Sequence, residues 1–357
     1  VHAEDGPSAP DGRARLRFDR AVLAGMVTTV GGKQVLFADE AQRLGLGAPE
    51  AARLQRALGL HARQVVAGDE TTVDLCAASA TKLLAGLGVA ARQVQALILV
   101  TQTPDHAAPS SAIALQHRLG LPVTAMAFDM RLGCSGFVYG LSIAFSLVQS
   151  GLERVLLCCG DVASRLVDGH DHTIAPLMGD AGAAALITRG HSHSTFELYS
   201  DGSGQRALMV PNSGLRRVVE DAGKPALMAM DGAAVFNFTL QRVPGLINEA
   251  LAFAECTADE IDYFVLHQPN KYILHNMQKR LGLSEARMPC ATQSVYGNQN
   301  SASIPGTVNG FLSEAYQAKP MRSLFAGFGI GLSWGACVLQ TDRIYAPPTT
   351  IGIGTEP

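Results

Sequence analysis

Charge is scarce in this chain, and so are aromatic rings. Of the 357 residues, 17% are charged and 6% aromatic, with a single tryptophan. The 28 basic and 31 acidic side chains leave a formal net charge of −3, which offers no electrostatic footprint for nucleic acid. No uncharged apolar run reaches membrane-spanning length, and the N-terminal "VHAEDGPSAPDGRARLRF" lacks the apolar centre of a signal peptide. That stretch is expected to be a flexible leader over 1–20, with a loose tail, "APPTTIGIGTEP", over 346–357. CxxC spacing is missing, and the cysteines (Cys76, Cys134, Cys158, Cys159, Cys256, Cys290 and Cys337) are odd in number. This argues against a disulfide framework, and a reducing cytoplasm is expected. Histidines form no HxxxH pattern. His191 and His193 fall in a polar loop and read as solvated, so no metal is expected. What remains is a chain 47% hydrophobic, globular, and long enough for one large domain or two similar ones.

Within it, "RLGCSGFVYGLSIAFSLVQSG" from Arg131 places a cysteine in a tight turn between two elements. Upstream, "VTAMAFDM" reads as a buried strand ending near Arg131. Downstream, Phe137, Leu141, Ala144, Phe145 and Val148 recur at helical spacing, and Gly151 supplies a stop. Cys134 thus sits at or just before a helix N-terminus, where unpaired N–H groups favour thiolate. Gly133 and Gly136 are expected to leave room for a reactant at the sulfur. The bland alternative is a small residue packed in a turn. Cys158 and Cys159, in the apolar run "RVLLCCGD", read as inert core.

The two halves of the chain resemble each other. "QALILVTQTPDH" parallels "IDYFVLHQPNKY", and the helix after Cys134 parallels "GTVNGFLSEAYQ". "RVLLCCGD" parallels "RSLFAGFG", and "AGAAALITR" parallels "WGACVLQTD". Each half reads strand, helix, strand, strand, with further helices such as 75–87 and 244–255. Buried apolar strands alternating with helices predict mixed sheets covered on both faces. Two such halves, over 21–190 and 191–345, give a duplicated five-layer α-β-α-β-α fold of the α/β class with the site between them. "GFGIG" lacks Rossmann spacing and has no βαβ unit after it.

Three motifs then stand together: Cys134 in "GCSG", His267 in "VLHQPN" and Asn298 in "VYGNQNSASIPG". With "GDAGAAALI", "MDGAAVFNFTL" and "GFGIGLSWGA", they make the chain resemble the thiolase superfamily, specifically β-ketoacyl-acyl-carrier-protein synthase III, over residues 21–345. The resemblance implies a thiolase-like fold and no bound cofactor, with acyl and malonyl thioesters of carrier protein or coenzyme A as substrates. It implies that Cys134 becomes acylated, and that His267 and Asn298 donate to the enolate left when a malonyl-type thioester loses CO₂. The backbone N–H groups of Cys134 and the Gly329–Ile330 turn would hold the oxyanion. Ala108, Met230, Phe236 and Asn270 are expected at the substrate pocket. Lys271, Lys279, Arg280, Arg216 and Arg217 are expected at a docking face for acyl carrier protein, and a homodimer is expected. Asp180 reads as structural, and Phe328 and Trp334 as packing.

Departures from the family pattern matter too. The aromatic and arginine that clamp coenzyme A fall at Arg53 and Ala57, and a second adenine-side arginine at His172. The carrier-contacting basic residue falls at Tyr272, beside Lys271. The usually bulky residue of the loop "TPDHAAPSS", which floors the partner's acyl pocket, is Ala108. These losses point to a specialised fatty-acid or polyketide pathway. The alternatives are an acyltransferase passing the Cys134 acyl group to an alcohol or amine, and a non-enzymatic subunit of a heterodimeric synthase. An intact Cys–His–Asn set argues against the last.

Overall fold

The structure, a computed structural model, describes residues 12–216, 223 and 226–353. Its strands are β1 (Ala14–Phe18), β2 (Ala21–Val30), β3 (Lys33–Leu36), β4 (Ala62–Val65), β5 (Ala96–Val100), β6 (Met126–Met130), β7 (Arg154–Asp161), β8 (Ala181–Arg189), β9 (Ser194–Ser200), β10 (Leu208–Met209), β11 (Ala229–Met230), β12 (Tyr263–Leu266), β13 (Met321–Gly329), β14 (Ser333–Thr341) and β15 (Thr350–Ile351). The helices are α1 (Phe37–Arg43), α2 (Ala48–Leu58), α3 (Thr72–Gly86), α4 (Ser111–Arg118), α5 (Gly136–Gln149), α6 (Gly232–Phe253), α7 (Lys271–Leu281), α8 (Thr292–Tyr296), α9 (Ser303–Phe311) and α10 (Ser313–Ala318).

Two mixed sheets carry the duplication. One runs β15-β2-β8-β7-β5-β6 and the other β1-β9-β14-β13-β12. In each, a parallel pair (β5 with β7, β12 with β13) is followed by antiparallel neighbours (β8 then β2, β14 then β9). Helices α5 and α9 lie between the sheets, α3 and α4 cover the outer face of the first, and α6 with α7 covers the second. This is the expected α-β-α-β-α layering. Apolar residues on both faces of β5, β7, β8, β13 and β14 explain it, because such strands are stable only when helices cover both sides.

Both chain ends depart from expectation. Within the leader assigned to 1–20, Ala14–Phe18 forms β1, antiparallel to β9. Within the tail assigned to 346–357, Thr350–Ile351 forms β15, parallel to β2. The "ARLRF" stretch alternates basic and apolar residues. Leu16 and Phe18 face the central core, Arg15 pairs with Glu197, and Arg17 stacks 4.4 Å from the Phe253 ring centroid. Its charge suggested a solvated arm, whereas its period of two marks a half-buried strand. The ends also cross over, each adding a strand to the other half's sheet.

Helix α3 begins at Thr72, three residues before the expected start. The helix expected over 244–255 begins at Gly232, where the Asp231 side chain accepts from Ala234 N–H at 3.0 Å. It continues through Pro244. Proline removes the donor for the carbonyl four residues back, and the Arg280 guanidinium donates to that carbonyl, Leu240 O, at 3.2 Å.

Candidate active site

Strand β6 ends at Met130, a turn closed by Gly136 N–H to Gly133 O at 2.7 Å follows, and α5 begins at Gly136. Cys134 therefore lies just outside the helix start, as expected, with 6% of its surface exposed. The glycines around it make room for the protein rather than for a reactant. A Cβ on Gly133 would lie 2.4 Å from Gln102 Oε1, and one on Gly136 would lie 2.4 Å from Val100 Cγ1. Across the site, a Cβ on Gly329 would sit 2.9 Å from Cys134 Sγ. Any side chain at 329 would displace the sulfur.

The thiol is not acidified in this site. Burial, with the Asp161 carboxylate adding to it, pushes Cys134 up to about 12, while N–H groups of Ile330 and Cys134 itself pull the other way. The expected lowering by the helix start and His267 is thus outweighed by desolvation. His267 cannot supply a positive charge either, because burial lowers it to about 3. The site at neutral pH holds a thiol and a neutral imidazole.

His267 follows directly on β12, its N–H bonded to Ala326 O at 2.8 Å. Gln268 Nε2 fastens the loop to Leu266 O and Pro289 O, each at 3.0 Å. The ring packs edge-on against Phe328, centroids 5.5 Å apart. Its Nδ1 meets Ser303 Oγ at 2.8 Å, and Ser303 Oγ also lies 2.8 Å from Asn300 O. The hydroxyl has one hydrogen for two acceptors. Given to Asn300 O, it leaves Nδ1–H donating to Oγ and Nε2 bare. Given to Nδ1, it leaves the proton on Nε2.

Asn298 is set by main-chain bonds. Its N–H donates to Leu177 O at 2.7 Å, its carbonyl accepts from Gly179 N–H at 3.1 Å, and it bridges Met178 in parallel register. Asn298 Oδ1 accepts from Asn300 N–H at 3.0 Å, which leaves the Nδ2 amide as the end free to donate.

Cys134, His267 and Asn298 line one cavity, together with Gly329 and Ile330. The cavity wall also includes Gln102, Leu208, Met228, Thr239 and Asn300, none of which the sequence singled out. Of the expected substrate residues, Met230 and Asn270 line the cavity, and Asn270 Oδ1 also caps α7 by accepting Ile273 N–H at 3.0 Å. Phe236 does not line it but stacks on Tyr272, centroids 5.2 Å apart. Ala108 sits in an exposed loop away from the cavity of its own chain. Lys271, Lys279 and Arg280 are exposed on α7, with Arg280 engaged at Leu240. Arg216 is exposed, and Arg217 lies outside the described residues.

The remaining side chains fall as follows. Asp180 accepts from Val66 N–H, Ser164 N–H and Ser164 Oγ–H, at 2.6–2.9 Å, and so ties loops rather than substrate. Cys158 and Cys159 are buried, His191 and His193 are exposed, and Trp334 stacks on Tyr199. Phe328 both packs on His267 and lines the cavity. No helix among the described residues is long and apolar enough to cross a membrane.

Comparison with known proteins agrees with this geometry. The family described as 3-oxoacyl-[acyl-carrier-protein (ACP)] synthase III matches residues 128–202, which contain Cys134. Its C-terminal counterpart matches 251–341, which contain His267 and Asn298. A Campylobacter jejuni protein carrying a provisional 3-oxoacyl-[acyl-carrier-protein] synthase 3 name is 31% identical, over 93% of this chain and 97% of its own. The crystal structure of a 3-oxoacyl-(acyl-carrier protein) synthase from Burkholderia xenovorans LB400 superposes with a TM-score of 0.91 at 34% identity, covering 96% of this chain and 99% of that one. A Pseudomonas aeruginosa PAO1 synthase III gives a TM-score of 0.81 at 29% identity, covering 91% and 99%.

Proposed function

Because the chain belongs to the 3-oxoacyl-[acyl-carrier-protein] synthase III family of transferases, we propose that it condenses a Cys134-bound acyl primer with a malonyl-type thioester, with loss of CO₂, in a specialised fatty-acid or polyketide pathway. The observation that carries this reading is the convergence of a buried thiol, a neutral imidazole and the Asn298 amide on one cavity.

In the first half-reaction the Cys134 sulfur attacks the primer thioester. Its proton passes through the bare Nε2 of His267 to the departing thiolate, and a Cys134 thioester forms. In the second, the extender carboxylate leaves as CO₂, and its electron pair becomes an enolate held by His267 Nε2–H and Asn298 Nδ2–H. The enolate carbon attacks the Cys134 carbonyl, and the oxyanion draws on the N–H groups of Cys134 and Ile330. Collapse expels the Cys134 thiolate, which takes a proton from solvent. A neutral histidine suits the first step, because its bare Nε2 can take the thiol proton without first having to lose one.

Carrier-protein thioesters are the favoured form of at least one substrate. Arg53 and Ala57 stand exposed on α2 where a coenzyme A clamp would be needed, while Lys271 and Lys279 present positive charge on α7. A homodimer completes the proposal.

The deciding experiment separates the half-reactions. Asn298→Ala is expected to keep acyl loading of Cys134 by intact mass within about tenfold while CO₂ release falls about a hundred- to a thousand-fold. His267→Ala, which also removes the base for loading, is expected to slow loading about a hundred- to ten-thousand-fold as well. Loading without any CO₂ release from wild-type enzyme, followed by transfer to an alcohol or amine, would replace condensation with plain acyl transfer.

A further inference from the structure

Asn300 touches two of the catalytic residues directly and reaches the third through Ser303, using three different atoms. Its side-chain Oδ1 accepts from Cys134 Sγ–H at 3.8 Å. Its backbone N–H donates to Asn298 Oδ1 at 3.0 Å. Its carbonyl accepts from Ser303 Oγ–H at 2.8 Å, and Ser303 Oγ is the partner of His267 Nδ1. The residue is 5% exposed and lines the cavity. Its φ of +47° is in the left-handed region, which asparagine tolerates better than other residues with a Cβ. That backbone reversal lets the N–H and the carbonyl of one residue point to two different catalytic partners.

We propose that Asn300 is a positioning residue of the condensing site, setting the thiol, the Asn298 amide and the His267 tautomer together. The side chain stabilises Cys134 as a thiol until substrate enters. The N–H turns the Asn298 amide so that Nδ2 faces the enolate. The carbonyl competes with His267 Nδ1 for the single Ser303 hydrogen, and so keeps Nε2 bare for the loading step. For the decarboxylation step the ring changes tautomer through solvent, Nε2 taking up a proton as Nδ1 releases its own, and the Ser303 hydroxyl then turns to donate to Nδ1. The inference rests on Cys134 being the nucleophile of the proposed reaction.

Two variants separate side chain from main chain. Asn300→Gly keeps the backbone conformation and its two main-chain bonds but removes the thiol's acceptor. Asn300→Asp keeps shape and backbone preference but places a carboxylate at the sulfur. Thiolate is followed by the pH dependence of the Cys134 alkylation rate with iodoacetamide, as a difference against Cys134→Ala, with no substrate present. At fixed pH, Asn300→Gly is expected to raise the thiolate fraction about threefold or more, and Asn300→Asp to lower it about tenfold. In Asn300→Asp, whose carboxylate sits beside the position where the enolate develops, kcat for CO₂ release is expected to fall about tenfold with KM little changed. Titrations that coincide with wild type, or that move in the same direction, would overturn the assignment. Opposite shifts in a protein whose wild type releases no CO₂ would support the Asn300 assignment and overturn the condensation reading instead.

Discussion

Asp161 ends β7 within electrostatic reach of Cys134 and does no chemistry of its own. Its Oδ1 accepts from Gln102 N–H at 2.7 Å and from the Thr101 and Thr103 hydroxyls, while Oδ2 is buried without a partner. Burial raises its carboxyl to about 7, so it gains charge across the neutral range and disfavours the thiolate as it does. Asp161→Asn keeps the accepting oxygen and removes the charge. The variant should alkylate with iodoacetamide about three- to tenfold faster than wild type at pH 8, and the two rates should converge near pH 6. The linkage has a definite sign. A group raised on folding contributes stability at low pH that is lost as pH rises through about 7, so wild type should lose stability relative to the variant over that window. A constant rate ratio across pH would remove the electrostatic account. At this scale the convergence of Cys134, His267 and Asn298 on one cavity was legible from the motifs they stand in. Their ionisation was not, since desolvation depends on everything packed around them. Asn300 was hidden in plain view, two positions from Asn298, because only the backbone angle shows where its atoms point.

Helix α6 contains the least expected element feature, a proline in its interior. Proline normally stops a helix, yet this one runs through it from Gly232, twelve residues before the expected start at 244. What sequence could not show is that Arg280 of α7 reaches Leu240 O, the carbonyl left without its helical donor. Pro244→Ala restores that donor and should stabilise the protein by about 1–3 kcal/mol. Arg280→Ala should cost about 0.5–1.5 kcal/mol in wild type and less in the Pro244→Ala background, because the carbonyl then has a partner. Urea denaturation of the four proteins closes the cycle. Equal costs in both backgrounds would leave Arg280 free for the carrier face. Similar reasoning explains the chain ends. β1 looked like a solvated arm by charge and was a strand by alternation, and its arginines find Glu197 and Phe253 only after the two halves pack. The central strands needed no such context, because their apolar runs already required cover on both faces.

At the scale of the whole molecule, the six-stranded sheet ends in an open edge. Among the described residues β6 pairs with β5 alone, and Met126 and Ile113 are about half exposed near it, with Val123 almost fully exposed. An unpaired strand flanked by apolar side chains is a template for another strand, and a two-fold axis at β6 would continue the sheet through a second copy. The loop between β5 and α4 leaves the cavity wall at Gln102 and carries Ala108 outward to solvent. In such a dimer that exposed loop falls against the partner, where a small side chain leaves the acyl cavity deep. The chain should therefore sediment as a dimer, and Met126→Lys with Ile113→Lys should shift it toward monomer. Ala108→Phe should leave the dimer intact and Cys134 open to iodoacetamide, while turning loading toward short primers. Each excluded CH₂ is worth about 0.8 kcal/mol, or roughly fourfold in relative loading. Primers of graded length, compared by intact mass, measure it. A dimeric mutant with an unchanged length profile would place the cavity floor within one chain, on Leu208 and Met230. A fully active monomer would remove the partner from the pocket altogether.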